Sequence, residues 1–126
     1  MDEADSGRQA VYAFIDAFNQ QDHPALAASL NYPHIRLARG QFRTVESASE
    51  FAATSEKLET HLRAEGWAYT VVRELDVLHA APDKVHMTLT IDRCSVDNSV
   101  YNTFNTLWIA TLQDEHWGIQ FRSSYL

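Results

Sequence analysis

Apolar and polar side chains alternate without a break in Val85–Arg93, which runs Val-His-Met-Thr-Leu-Thr-Ile-Asp-Arg. A period of two residues predicts a strand that buries one of its faces. Similar alternation extends over residues 67–79. Residues 101–112 and 117–125 are two further predicted strands, and short turns separate these segments. Because strands joined by such short loops are antiparallel neighbours, we predict a four-stranded meander in the second half of the chain.

The first half of the chain carries helical patterns. Pro24 suits the first turn of a short second helix, and a strand over residues 34–38 follows it. Ser47 and Glu50 have the spacing of a capping box, which predicts a third helix that ends near Gly66. The first helix is predicted from apolar residues at helical spacing, namely Val11, Phe14, Ile15 and Phe18. Helices followed by a meander predict an α+β domain with the helices on one face of the sheet.

Composition excludes several classes of protein. The chain has 126 residues and a net charge of −7, which argues against nucleic acid or an anionic membrane as a partner. Cys94 is the only cysteine, which excludes a disulfide framework and fits the cytoplasm. We expect one domain over residues 1–126, with residues 1–7 as a frayed tail. No signal peptide or membrane span is expected.

Two stretches resemble a known superfamily. Phe14–Asp22, Phe-Ile-Asp-Ala-Phe-Asn-Gln-Gln-Asp, is rich in aromatic residues and closes in Asn-x-x-Asp, and residues 108–119 form a candidate last hairpin with Trp-x-Ile near its end. With the order of elements, they resemble the nuclear transport factor two-like superfamily, which includes SnoaL-like cyclases and ketosteroid isomerase. The resemblance covers nearly the whole chain. It implies a cystatin-like fold: a cone-shaped, strongly bent, mostly antiparallel sheet around three helices, with a deep pocket and frequent homodimers through the convex face.

The residues that would carry ketosteroid isomerase chemistry are missing at the matching positions. Phe14 stands where the isomerase has a tyrosine, and residues 36–38 offer no carboxylate where its general base lies. Residues 105–107 likewise lack its second acid. Because proton abstraction needs a base and an oxyanion needs a positioned donor, we expect no isomerase activity of that kind.

Strand parity, together with the resemblance, predicts the residues that line the pocket. The catalytic candidates are His34, which would shuttle a proton near neutral pH, and Arg36. Arg36 and Arg122 would favour a carboxylate, phosphate or enolate-like ligand. The predicted ligand-binding residues are Phe14, Phe18, Tyr32, Trp67, Tyr69, Met87, Leu89, Asn105, Gln120 and Arg122. No metal or cofactor is expected.

Each of these assignments has a structural alternative. His34 could be a half-exposed histidine at the start of a strand, and the arginines could pair with carboxylates such as Asp16. Trp67 and Tyr69 could pack rather than bind. On the last strand the opposite parity, with Trp117, Ile119 and Phe121 inward, stays open.

Two classes of function follow. The first is a SnoaL-like pocket protein, with a metal-independent lyase, isomerase or hydrolase activity on a small substrate of anionic or carbonyl character. The alternative is a non-catalytic homodimeric binding or association module. The homodimer is predicted to form through the convex face of the sheet. That face is expected to expose Thr88, Thr90, Phe104, Thr106, Trp108, Ile119 and Phe121.

Overall fold

Three helices and six strands make up the computed structural model, which describes residues 2–126. The helices are α1 (Glu3–Gln20), α2 (His23–Ala28) and α3 (Ala48–Ala64). The strands are β1 (Leu30–Ala38), β2 (Gln41–Val45), β3 (Tyr69–Ala80), β4 (Lys84–Cys94), β5 (Val100–Gln113) and β6 (His116–Ser124). The predicted α+β class, the helices and the meander are confirmed, and β2 was not predicted. No helix within residues 2–126 is long and apolar enough to cross a membrane.

All six strands join one curled sheet in the order β2-β1-β6-β5-β4-β3. The β1–β6 pair is parallel and every other pair is antiparallel, so the sheet is mostly antiparallel, as predicted. Helix α1 lies on the concave face and approaches β4 closely at Gly7. A Cβ atom at Gly7 would lie 2.7 Å from Val85 Cγ1, so the contact needs a residue without a side chain.

Helix α1 begins earlier than the sequence predicts. Asp2 is its N-cap, and the Asp2 carboxylate accepts a hydrogen bond from the Asp5 N–H at 2.8 Å. The expectation of a frayed tail is therefore wrong for residues 3–7, because a capped helix holds them. Met1 lies outside the described residues.

The Asn-x-x-Asp ending of α1 has two structural roles. Asn19 Nδ2 donates to Thr70 O at 2.8 Å, and Asn19 Oδ1 accepts from the Thr70 N–H at 2.7 Å. This pair of bonds fixes the start of β3 against α1. Asp22 caps α2 by accepting from the Ala25 N–H. The motif therefore sets the entry into the next helix and the position of a distant strand.

Strand parity is confirmed on β4 and reversed on β5. Val85, Met87, Leu89 and Ile91 are all buried on the helix side. On β5 the buried residues are Thr106, Trp108 and Ala110, whereas Asn105 is exposed. The inward prediction for Asn105 is therefore wrong. The prediction for the convex face is wrong for Phe104, Thr106, Trp108 and Ile119, which lie on the helix side.

Two bulges change the parity of the neighbouring strands. In β3 the register shifts between Val72 and Glu74, so that Tyr69 faces outward and its hydroxyl donates to Asn98 Oδ1 at 2.9 Å. In β6 the register shifts at Gln120, after which Arg122 faces the helices. A bulge adds one residue to one strand. The inward residues therefore have even numbers on one side of the bulge and odd numbers on the other. Simple alternation could not place Tyr69 and Gln120 correctly.

Candidate functional site

A cleft of about 750 Å³ separates α3 from the concave face of the β2-β1-β6 edge of the sheet. Helix α3 begins at its predicted cap, where Ser47 Oγ accepts from the Glu50 N–H. The helix packs on α2, where His23 contacts both Ser55 and Glu59. The cleft is lined by His34, Arg36, Ala38, Arg39, Gln41, Arg43, Val45, Phe51, Thr54, Lys57, Leu58, His61 and Arg122. The site is thus open, and its lining contains five Lys and Arg residues and no Asp or Glu.

Three arginines lie side by side on the floor of this cleft. Arg36 on β1 pairs with Arg43 on β2 and with Arg122 on β6, so that the three form one row across adjacent strands. We call this row the arginine ladder. None of the ion pairs found within residues 2–126 involves a member of the ladder. The alternative of structural pairing with a carboxylate, such as Asp16, is therefore not realised.

His34 lies beneath the ladder and is 1% exposed. Its Nδ1 is 3.0 Å from Ile119 O, and its Nε2 is 3.1 Å from Arg122 Nε. Because a carbonyl can only accept and a guanidinium can only donate, Nδ1 carries the proton and Nε2 is an acceptor. Burial, followed by the charge of Arg122, lowers the pKa of His34 to about 3. The ring is therefore neutral and orients the Arg122 side chain.

Arg122 and Arg36 are held without an anionic partner. The Arg122 guanidinium lies 4.8 Å from the centroid of the Phe14 ring and 5.8 Å from that of Trp108. Burial, with the charges of Arg36 and Arg93, lowers the pKa of Arg122 to about 9. Burial and neighbouring arginines also lower the pKa of Arg36, whose Nε is buried without a hydrogen-bond partner. Both groups therefore carry an uncompensated positive charge.

A small inner cavity of about 40 Å³ lies beyond these two arginines. Its walls are mainly aromatic and aliphatic, and Arg36 and Arg122 line both this cavity and the cleft. The remaining lining residues are Phe14, Ile15, Phe18, Thr70, Ile91, Arg93, Phe104, Trp108, Ser124 and Leu126. The arginines thus stand at a boundary between a charged outer space and an apolar inner one.

The family described as NTF2-like protein (DUF6841) matches residues 5–122 of this chain. The chain belongs to this NTF2-like family. The match spans nearly the full sequence. No curated protein matches the chain.

Solved structures of NTF2-like proteins share the fold at low sequence identity. An NTF2-like protein with a cystatin-like fold from Novosphingobium aromaticivorans is 15% identical, with a TM-score of 0.76 over 98% of this chain and 81% of that one. An NTF-2 like protein of unknown function from Shewanella oneidensis is 17% identical, with a TM-score of 0.72 over 98% of both chains. A ketosteroid isomerase-like protein from Erwinia carotovora atroseptica is 15% identical, with a TM-score of 0.68 over 98% of this chain and 95% of that one. These likenesses concern the fold alone.

Part of the predicted site comes together in this NTF2-like chain. Phe14, Phe18, Arg36 and Arg122 line the inner cavity, and His34 lines the cleft beside the two arginines. Asp and Glu are absent from the lining of both spaces.

The other predicted ligand-binding residues lie elsewhere. Trp67, Met87 and Leu89 pack in the core, and the Tyr32 hydroxyl donates to Ala27 O at 2.6 Å. Tyr69 and Asn105 are on the convex side, as described above. Gln120 bridges strands, since its Oε1 accepts from Thr111 Oγ1 at 2.8 Å and its Nε2 donates to Pro33 O at 3.1 Å.

Sequence reasoning missed the outer half of the cleft because it missed β2. Arg39 and Gly40 form a two-residue turn with positive φ at both positions, and Ala38 then pairs with Gln41. A tight hairpin of this kind sets the register that brings Arg43 opposite Arg36. The available signal was Gly40, which follows the alternating β1 strand and precedes five residues, Gln41–Val45, that can pair with that strand. Phe51 and Leu58 on α3 had a signal, since helical spacing predicts that they share one face. No prediction placed that face, with Thr54, Lys57 and His61, opposite the β1–β2 hairpin.

Proposed function

We propose that this protein binds a small organic molecule in the cleft, with an anionic or carbonyl group of the ligand against Arg36 and Arg122. The observation that carries the proposal is that two half-buried arginines lack a carboxylate partner at the boundary between the cleft and an aromatic cavity. Buried charges in proteins are normally paired with an opposite charge. Two arginines without a carboxylate partner therefore favour the binding of an external anion. The apolar side chains of Val45, Phe51 and Leu58 in the lining of the cleft suit an apolar part of the ligand.

We propose that His34 positions Arg122 rather than transferring a proton. A general acid or base must reach the reacting group with a free proton or lone pair. Both ring nitrogens of His34 are already engaged, by Ile119 O and by Arg122 Nε. Any chemistry in the cleft would therefore rest on charge stabilisation by the arginines, a contribution that binding and catalysis share.

Benzoate, a small aromatic monoanion, is the probe for the binding proposal. We expect benzoate to shift the Arg122 Nε–H resonance of the wild type in a saturable NMR titration. We expect isothermal titration calorimetry to detect benzoate binding to the wild type and none to Arg122→Met. Arg73→Met, at an exposed arginine on β3, removes the same charge away from the cleft and should leave binding unchanged. Absence of saturable binding to the wild-type protein would overturn the proposal.

Variants of His34 test its positioning role. His34→Gln keeps an oxygen able to accept from Arg122, whereas His34→Ala does not. We therefore expect His34→Gln to retain most of the benzoate affinity and His34→Ala to lose about tenfold. Equal affinities in the two variants would contradict a positioning role.

The association module is retained as a second candidate because of the convex face. Ile35 pairs with Phe121, and Phe121 pairs with Ile109, so these three side chains lie in one row on that face. Leu37 and Phe42 form a pair beside them, and Phe42 is 71% exposed. An apolar patch of this kind fits a second copy of the chain. Sedimentation velocity should give a dimer at micromolar concentration and a monomer for Ile109→Lys, and a wild-type monomer would refute the proposal.

A further inference from the structure

The cleft concentrates positive charge in an acidic protein. The chain has ten Lys and Arg residues and a net charge of −7. Five of the ten, Arg36, Arg39, Arg43, Lys57 and Arg122, line this one cleft. Since no Asp or Glu lines it, the positive field is not cancelled locally. A concave surface of one sign focuses the field and attracts oppositely charged small molecules.

The arginine ladder places like charges at the closest spacing that a sheet allows. Arg43, Arg36 and Arg122 are direct partners on neighbouring strands, which run about 5 Å apart. Like charges directly opposite one another in a sheet are destabilising. Within residues 2–126 no ion pair involves the ladder, and the buried Nε of Arg36 has no hydrogen-bond acceptor. A bound anion would reduce the repulsion between the arginines and would supply an acceptor for Arg36 Nε.

The number of cations bears on the charge of that counter-ion. A single carboxylate could accept bidentate hydrogen bonds from one arginine and would leave the other members of the ladder unmatched. Arg39 and Lys57 add two more donors on the β1–β2 turn and on α3. A head group with oxygens directed at several neighbouring guanidinium groups would engage the whole row.

We propose that the ligand is an organic molecule whose compact head group carries at least two negative charges, such as a phosphate ester, a diphosphate or a pair of neighbouring carboxylates. The inference rests on the proposed function and names the ligand class for the same cleft. The ladder would hold the head group, while Arg39 and Lys57 would contact it from the rim. The cations converge on one concave cleft rather than following an extended surface, which suits a small head group better than a nucleic-acid backbone.

Isothermal titration calorimetry with simple anions tests this inference. Pyrophosphate, citrate and acetate are compared at one ionic strength, with pyrophosphate representing phosphate oxyanions and citrate representing clustered carboxylates. We expect pyrophosphate or citrate to bind once per chain and at least tenfold more tightly than acetate. The tighter of the two identifies the kind of head group.

Two variants place the binding in the cleft. Arg43→Met removes the outer member of the ladder on an exposed strand, and we expect it to weaken the preferred multivalent anion at least fivefold. Lys84→Met removes an exposed cation outside the cleft and should leave the affinity unchanged. Equal weakening by both variants would show a non-specific effect of charge and overturn the proposal.

The result also separates this inference from the proposed function. If acetate binds as tightly as pyrophosphate and citrate while benzoate still requires Arg122, the multivalent head group is wrong and the small-molecule site stands. If pyrophosphate binds with the same affinity to the wild type and to Arg43→Met, the ladder is not its site, and the inference fails. If benzoate shows no saturable binding, the proposed function itself fails.

Discussion

His34 should make the protein less stable as the pH falls from 7 to 5. In the folded protein its Nδ1–H donates to Ile119 O and its Nε2 accepts from Arg122, so a second proton would break a hydrogen bond and face a cation. Burial and the charge of Arg122 and, to a smaller extent, of Arg36 lower its pKa from 6.5 to about 3. In the unfolded chain the same ring takes up a proton near its ordinary pKa of about 6.5.

The sign and the size of the effect follow from proton linkage. Between pH 6.5 and about 3 the unfolded chain binds more protons than the folded protein, so unfolding becomes easier as the pH falls through this window. Going from pH 7 to pH 5 should lower the free energy of unfolding by roughly 2 kcal/mol through His34 alone. Because pH 5 lies well above the folded pKa, this figure depends mainly on the pKa in the unfolded chain.

Urea unfolding at pH 7 and pH 5 measures the effect. His34→Gln does not titrate and keeps an acceptor for Arg122, so the wild type should lose roughly 2 kcal/mol more than this variant over the interval. His79→Gln, at an exposed histidine, controls for the loss of a histidine as such. The same pH dependence in the wild type and His34→Gln would refute the reasoning. So would an imidazole ¹⁵N spectrum that shows His34 doubly protonated in the folded protein at pH 5.

Three further substitutions have defined effects on stability. Arg36→Met removes a half-buried cation that lacks a partner, so it should raise the free energy of unfolding by about 1 kcal/mol while abolishing benzoate binding; urea denaturation decides this, and a clear loss of stability would contradict it. Gly118→Ala would put a Cβ atom 2.8 Å from the Leu30 carbonyl carbon and from Asn31 Oδ1, so it should lower the free energy of unfolding by about 1–3 kcal/mol in the same assay, and an unchanged midpoint would mean that β1 can shift. Asn19→Ala leaves the buried Thr70 N–H and C=O without their partner, so it should cost about 2 kcal/mol and accelerate hydrogen exchange of the Thr70 amide, and an unchanged exchange rate would show that water replaces the side chain.

The features of this protein that depend on neighbouring residues could be predicted from the sequence. The alternation in Val85–Arg93 placed β4 with the correct face inward, because every second residue there is apolar and can be buried in only one way. The spacing of Ser47 and Glu50 placed the start of α3, because a cap depends only on residues within one helical turn. The order of such elements, together with the resemblance of Phe14–Asp22 and residues 108–119 to the superfamily, predicted the NTF2-like fold.

Register and bulges needed the tertiary structure. On β5 both faces carry apolar and polar side chains, so its pattern does not distinguish the orientation that buries Trp108 from the one that buries Ile109. At Gln120 the bulge is fixed by side-chain bonds to Thr111 and to Pro33 O, which come from two other strands. No local pattern contains that information.

The chain by itself thus determined the class of fold, most of the elements and the presence of Arg36 and Arg122 in the site. Only the tertiary structure decided that His34 is buried as an acceptor for Arg122 and that Arg43 completes a ladder with these arginines. The physical reason is that the β1–β6 pairing joins strands far apart in sequence, and that the Arg36–Arg43 pairing depends on the register set by the Arg39–Gly40 turn. Such pairings are set by hairpin geometry, by the parallel β1–β6 junction and by packing against the helices, and none of these is encoded in the residues that meet.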